Sequence, residues 1–356
     1  MSPSGKNYKK IVVKVGSSLF CTKKGDFEQS SLNALIAQLK ALAKGGERSF
    51  IVVSSGAIAL GMMRLKLASR PKELPELQAA AAIGQNILMD SYSRAFKGVN
   101  IAQVLLTWDD FNDRSRYLNA KKTLDTLLAL GCVPIVNEND TVSTEEIKFG
   151  DNDRLSALVA TLVSADLLII LSDVDGLWDR EKKLVKIVPE INFQVKSLAS
   201  PSEKKTSVGG MITKIEAAKI SVDSGIPCVI ACGKGKNIVS QIVSDPFALG
   251  EWTVFTPKKG LAERDRWIAF GVKPKGKVIV DDGAKKALLD NKSLLAVGVI
   301  GIQSDFESGA VVSVVDKCGC EFARGKISVS SKSLDAEKGR YFHKEIIHRD
   351  NIVILG

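Results

Sequence analysis

"KKIVVKVG", residues 9–16, is a short continuous apolar run closed by Lys-Val-Gly, and runs of the same kind return along the chain. They are "SFIVVSSG" (49–56), "NIAQVLLT" (100–107), "GCVPIVNEN" (131–139), "DLLIILSD" (166–173) and "IPCVIACG" (226–233). Between them lie segments with helical apolar periodicity, Gln29 to Lys44, Leu77 to Phe96 and Arg154 to Val163. Continuous apolar strands alternating with helices predict an α/β fold, a mainly parallel sheet sandwiched by helices. Such sheets bind ligands beyond the carboxyl ends of their strands, so the residues that follow each run matter most.

The pattern changes after about Trp252. "TPKKGLAERDRWIAFGVKPKGKVIV" (256–280) is rich in Lys, Pro and Gly and holds no long apolar helix, as a domain junction would. Beyond it come short β-like runs, "KVIV", "AVVSVVD" and "EFARGKISV", with one helix expected from Gly283 to Asp290. The expected organisation is a first domain over 1–256, a linker over 257–273 and a small β-rich, barrel-like domain over 274–356.

The 356 residues are enough for two domains, each with its own core. A content of 45% apolar and 25% charged residues is that of a soluble globular protein, and no apolar run approaches the roughly 20 residues that cross a membrane. "MSPSGKNYKK" leads straight into the first strand without the apolar segment and small-residue site of a signal peptide, so a cytoplasmic location is expected. The six cysteines are scattered and predict reduced thiols; Cys318 and Cys320 flank Gly319 in what reads as a hairpin turn, with no second pair to complete a zinc set. Residues 257–356 carry 18 Lys+Arg against 13 Asp+Glu, half of the net charge of +10. That balance permits RNA binding, but no aromatic stacking array accompanies it.

Neither G-x-x-x-x-G-K-[ST] nor G-x-G-x-x-G occurs, and the only histidines are His343 and His348. A reaction run in the first domain therefore needs a carboxylate or lysine base, or a nucleophile already ionised at neutral pH. Phosphoryl transfer to a carboxylate meets the second condition, since catalysis then reduces to positioning and neutralising charge.

The strand ends offer groups for that task. Lys14 precedes Gly16, Ser17 and Ser18, where amides, hydroxyls and an ammonium can face phosphate oxygens. Ser54, Ser55 and Gly56 stand where they can cap the next helix, whose N-terminus favours an anion. "SVGGMITKIEAAK" (207–219) sets Gly209 and Gly210 before a helix bearing Lys214, and "LSDVDGLWD" (171–179) offers Ser172 and Asp173 before a turn. The acidic stretch "VNENDTVSTEEIKFGDNDRLS" (136–156) lacks the glycine of an EF-hand loop; Asp151 reads as an N-cap and Asp153 falls in the first helical turn. Asp140, Asn137 and Asn152 together supply acceptors for an ammonium and donors for a carboxylate, as a zwitterionic amino acid requires.

Taken in order, "VVKVGSS", "VSSGAI", "VNENDTV…EIKFGDND", "LSDVDGLW" and "GGMITK" resemble the glutamate 5-kinase branch of the amino acid kinase family. "RDRWIAF", "VDDGAKKALLDNKSLL" and "CEFARGKISVSS" look like the junction and PUA domain appended to many bacterial members. The resemblance implies transfer of the γ-phosphoryl of ATP to the side-chain carboxylate of L-glutamate, for proline biosynthesis. It also implies Mg²⁺ bound with the nucleotide, a homo-oligomer, proline as a feedback inhibitor acting near the substrate loop, and a PUA domain that binds RNA elsewhere. Kinases for N-acetylglutamate, aspartate, carbamate or uridylate share the phosphate machinery, but an acetylated amine has no charge for Asp140 to meet.

By the same resemblance, Lys14 and Lys214 neutralise the transferring phosphoryl group and Asp153 holds both ammonium groups in place. Gly16, Ser17, Gly209, Gly210, Met211 and Lys214 would surround the phosphates, with Ser172 and Asp173 approaching the nucleotide. Ser55, Asn137, Asp140 and Asn152 match glutamate-binding positions, and Lys148 lies between them. One departure is Val208, where many relatives place a small polar residue before the Gly-Gly pair.

Overall fold

The computed structural model describes residues 7–21, 27–143, 151–199, 210–258, 261–337 and 345–355. They form two compact units, one of residues 1–110 and 114–260, the other of 111–113 and 261–356.

In the first unit the strands are β1 (Lys10–Val15), β2 (Ser49–Ser54), β3 (Ile101–Leu106), β4 (Val133–Glu138), β5 (Leu167–Ser172), β6 (Ile187–Val188), β7 (Cys228–Cys232) and β8 (Trp252–Phe255). They build one sheet in the order β3-β4-β2-β1-β5-β7-β8-β6. Strands β3, β4, β2, β1, β5 and β7 run parallel; β8 turns antiparallel to β7, and β6 pairs parallel with β8. All six expected runs are strands, and the mainly parallel sheet is as the sequence predicts. From β1 the chain moves outward to β2 and later returns to lay β5 on the other side, so the order reverses at β1 and β5. A crevice opens at such a reversal, beyond the carboxyl ends of the two strands.

The helices of this unit are α1 (Gln29–Ala43), α2 (Ala57–Leu65), α3 (Leu74–Ala95), α4 (Trp108–Asn112), which runs on into the second unit, α5 (Arg114–Ala129), α6 (Asp151–Leu162), α7 (Phe193–Leu198), α8 (Gly210–Asp223) and α9 (Ile238–Ser244). Two start earlier than their apolar periodicity suggests. Pro75 opens α3, where its fixed φ and missing N–H cost nothing, and α6 takes in Asp151 and Asn152 ahead of its first apolar turn.

Side chains of β1 alternate between the two faces of the sheet. Ile11, Val13 and Val15 join Leu32, Leu35, Ile36 and Leu39 of α1 in one core. Val12 and Lys14 point the opposite way, to the face where α6 packs across β1, β2, β4 and β5 with α8 beside it. This alternation is what delivers a lysine from the central strand to the helix that carries Asp153.

The expected serine cap of α2 is not formed. Gly56 occupies the N-cap with φ 114°, a left-handed conformation suited to glycine, and no side chain closes the helix start. Ser54 Oγ instead donates to the Ser55 carbonyl at 3.1 Å and accepts from Tyr92 Oη at 2.9 Å, because the fully buried phenol of α3 needs a partner more than a helix end at the crevice does.

The second unit contains α10 (Glu263–Arg266), β9 (Lys277–Val280), α11 (Asp282–Leu289), β10 (Leu294–Leu295), β11 (Val299–Gln303), β12 (Val311–Val315), β13 (Glu321–Lys326), α12 (Ser331–Glu337), β14 (Glu345–Ile347) and β15 (Ile352–Ile354). A five-stranded sheet, β11-β9-β12-β13-β15, and a β10-β14 ribbon enclose a core that includes Val278, Val280, Leu288, Val312, Val314 and Leu334. Asp281 caps α11 by accepting from Ala284 N at 2.7 Å. Cys318 and Cys320 sit in the turn between β12 and β13, where Asp316 Oδ1 accepts from both backbone N–H groups at 3.0 and 2.9 Å. No helix among the described residues is long and apolar enough to cross a membrane.

Candidate active site

The crevice is built on Lys14, the fifth residue of β1. Its Nζ lies 2.8 Å from Asp153 Oδ1, and Lys214 Nζ lies 3.1 Å from Asp153 Oδ2. Asp153 is 1% exposed and Lys14 6%, so a strand, the first turn of α6 and the first turns of α8 converge on one carboxylate away from water. Thr213 Oγ1 donates to Asp153 Oδ2 at 2.8 Å, and the same hydroxyl is 3.2 Å from the Gly210 carbonyl.

These charges set one another. Burial is the largest influence on Asp153 and works against its ionisation, but the ammonium groups of Lys14 and Lys214 and the Thr213 hydroxyl outweigh it, holding the carboxyl below the usual aspartate value. Burial is also the largest influence on Lys14. Asp153 pulls the ammonium back towards its charged form while Lys214 repels it, and the outcome is a value below that of an ordinary lysine. Asp173, exposed just beyond β5, is close enough to add to the attraction on Lys14.

Around this centre the strand ends crowd together. Gly16 N donates to Leu171 O at 3.0 Å, and the Cβ that Gly16 lacks would lie 3.6 Å from Lys14 Nζ, so the lysine folds back over the start of the Gly16-Ser17 turn. Ser55 N donates to Val15 O at 3.1 Å, and the missing Cβ of Gly56 would lie 3.4 Å from Ser17 Cβ, which brings the ends of β1 and β2 side by side. Ser172 is buried at the end of β5 and its carbonyl accepts from Gly233 N at 2.9 Å. Gly210 and Met211 begin α8 next to Lys214. The uncapped start of α2, the first residues of α8, the ammonium groups of Lys14 and Lys214 and the Ser17 turn thus lie around one space, a setting for phosphate oxygens.

A second group of polar residues adjoins the first. Asn137, buried at the end of β4, accepts at Oδ1 from Glu138 N at 2.9 Å and from Asn152 Nδ2 at 3.1 Å, and its Nδ2 donates to Gln85 Oε1 at 2.8 Å. Asn152 precedes Asp153 on α6, so this network touches the charged centre through the backbone. Asp140 lies near enough to Arg70 to favour the charged guanidinium, although burial is the larger influence and lowers the arginine's value. Lys148, Gly209 and Val208 lie outside the described residues, as does the side chain of Asp151.

Three participants have no counterpart in the sequence reading: Thr213, Arg70 and Gln85. Thr213 adjoins Lys214 and its side chain type is a signal for a partner in the first turn of a helix. Gln85 and Arg70 sit in segments that read only as helix and loop.

Residues 9–232 match the model of the amino acid kinase family and residues 276–346 that of the PUA domain. The chain is 44% identical over 367 aligned positions to a glutamate 5-kinase of Thermoanaerobacter sp. (strain X514), covering 97% of this chain and 98% of that one. It is 42% identical over 369 positions to a glutamate 5-kinase of Geobacter sulfurreducens, covering 98% of each. Among solved structures, a carbamate kinase from Giardia lamblia bound to AMP-PNP superimposes with a TM-score of 0.51 at 15% identity, covering 70% of this chain and 99% of that one. At that identity the likeness concerns the fold.

Proposed function

Because this chain belongs to the amino acid kinase family, we propose that it is a phosphotransferase that moves the γ-phosphoryl of ATP to the side-chain carboxylate of L-glutamate. The product is L-glutamate 5-phosphate, the first intermediate of proline biosynthesis. The names of relatives 41–44% identical over nearly the whole chain support that acceptor. The observation that carries the reaction type is the pair of ammonium groups held on the buried Asp153 at 2.8 and 3.1 Å.

In the reaction a carboxylate oxygen of glutamate forms a bond to the γ-phosphorus as the bond from that phosphorus to the bridging oxygen of ADP breaks. No proton has to move, which suits a domain without histidine. Lys14 and Lys214 neutralise the equatorial phosphoryl oxygens, and Asp153 fixes both lysines at one separation before the nucleotide arrives. Gly16, Ser17, Gly209, Gly210 and Met211 surround the phosphates, with Ser172 and Asp173 towards the nucleotide. Ser55, Asn137, Asp140, Lys148 and Asn152 receive glutamate.

Both oxygens of Asp153 are committed to Lys14, Lys214 and Thr213, and among the described residues no group of three His, Cys, Asp or Glu is arranged to hold a metal. A Mg²⁺ ion would be carried on the ATP phosphates, where it would spread their charge. Feedback inhibition by proline, a homo-oligomeric state and a cytoplasmic location belong to the same reading. RNA binding by the C-terminal unit would show as strongly salt-dependent affinity in residues 260–356.

Glutamate-dependent ADP formation, with hydroxylamine trapping the acyl phosphate, tests the function. Turnover with glutamate and none with N-acetylglutamate is the expected result; ADP release that ignores glutamate refutes it.

A further inference from the structure

The amide network beside Asp153 leaves one buried donor and one buried acceptor without partners among the described residues. The backbone N–H of Glu138 donates to one end of the Asn137 amide, so that end is the oxygen and the other the nitrogen. Asn137 Nδ2 must then meet an acceptor, which fixes Oε1 of Gln85 towards it at 2.8 Å. By the same logic Asn152 turns its Nδ2 to Asn137 at 3.1 Å. What is left over is Gln85 Nε2, a donor, and Asn152 Oδ1, an acceptor, both buried and neither hydrogen-bonded to a described residue. An unpaired buried polar atom is destabilising, so two of opposite kind on one three-residue network need a reason.

Gln85 is also held where it stands. Helix α3 crosses α2 at backbone contact: a Cβ on Gly84 would fall 1.7 Å from the Ala57 carbonyl oxygen, and one on Gly61 1.8 Å from that of Ala80. Two turns before Gln85, Gln78 Nε2 donates to the Ser143 carbonyl at 3.1 Å. Helix α3 thus holds the end of β4 through Gln85 and the segment after it through Gln78, on one helix face, with its depth set by glycines.

We propose that Gln85 is a specificity-determining residue that donates from Nε2 to the α-carboxylate of the amino-acid substrate, while Asn152 Oδ1 accepts from its ammonium. This rests on the glutamate reading above and adds to it the group that selects an α-amino acid over a plain carboxylic acid. Asn137 is then a hub that aims its two neighbours, since its own oxygen is already taken twice.

The test compares glutamate with 4-aminobutyrate, which lacks the α-carboxylate, and glutarate, which lacks the amine, in the full-length protein. Gln85→Ala lowers kcat/KM for glutamate and glutarate about 10- to 100-fold, chiefly through KM, and leaves that for 4-aminobutyrate within about threefold. Gln85→Glu keeps an acceptor for Asn137 Nδ2 but turns the donor into an anion. It falls below Gln85→Ala with glutamate and not with 4-aminobutyrate. Equal losses on all three substrates, or unchanged glutamate kinetics in folded variants, overturn this inference alone. A wild-type chain without glutamate-dependent ADP formation overturns it together with the proposed function.

Discussion

Lys14 and Asp153 meet at 2.8 Å although one comes from the middle strand of the sheet and the other, 139 residues later, from the first turn of a helix. Their contact is the join between a strand that alternates its side chains and a helix laid across that face. Asp153→Asn should lower turnover about 10²- to 10³-fold, because the variant still fills the space but no longer holds two ammonium groups together. It should also destabilise the fold by roughly 3–5 kcal/mol, the cost of leaving buried cations without their anion. Steady-state kinetics and denaturant unfolding measure both. Turnover within a few-fold of wild type would refute the assignment.

Acidity separates the two partners. Lys14 must be protonated to neutralise phosphate, and its value is lowered by burial, so kcat/KM for ATP should decline on the alkaline side at a pH below the ordinary lysine value. For stability the sign is set by Asp153, whose folded value is depressed. Its contribution is fully present above the unfolded aspartate value of about 3.9 and disappears only as the pH falls through the lower folded one. A rate profile that stays flat up to the ordinary lysine value would contradict the burial argument.

Thr213→Val removes one hydroxyl and keeps the volume. The bond it deletes is to a charged acceptor, worth about 1.5–3 kcal/mol, so kcat should fall about tenfold while KM for glutamate is kept. An unchanged kcat would show that the lysines alone align Asp153.

Asp140→Ala should act on the other substrate, raising the KM for glutamate about tenfold with little change in kcat. The nearby Arg70 keeps its burial but loses its counter-charge in this variant. A fall in kcat at constant KM would move Asp140 from the substrate to the transferring phosphoryl group.

Gly84→Ala inserts a methyl where only 1.7 Å separates its position from the Ala57 carbonyl oxygen. The helices must move apart, at a cost of at least about 1–3 kcal/mol, and Gln85 moves with α3. Thermal unfolding should shift downwards and the KM for glutamate should rise in the same variant. Loss of stability with unchanged KM would uncouple the helix crossing from the substrate site.

Much of this architecture is legible in the residues because it follows from local periodicity. The six apolar runs become six strands, and Asp151 to Asp153 and Gly210 to Lys214 open the helices α6 and α8. Lys14 can be suspected from its place in the first run. Its partner is a matter of which strand neighbours which, and a sequence does not print that order. Gln85 is harder still: nothing in "AAIGQNIL" distinguishes a glutamine facing water from one facing Asn137, since the difference lies in two glycines that let α3 sink onto α2. The serine cap of α2 fails for a related reason, as Tyr92 claims Ser54 from thirty-eight residues away.

The buried Lys14–Asp153–Lys214 cluster bears on how this protein can be improved in the laboratory. Replacing such a cluster by well-packed apolar side chains of similar volume is often neutral or stabilising. Any screen that rewards heat resistance alone will therefore tend to drift through these three positions and return robust, inert molecules. Directed evolution here needs growth without proline, or another demand for product, applied in every round.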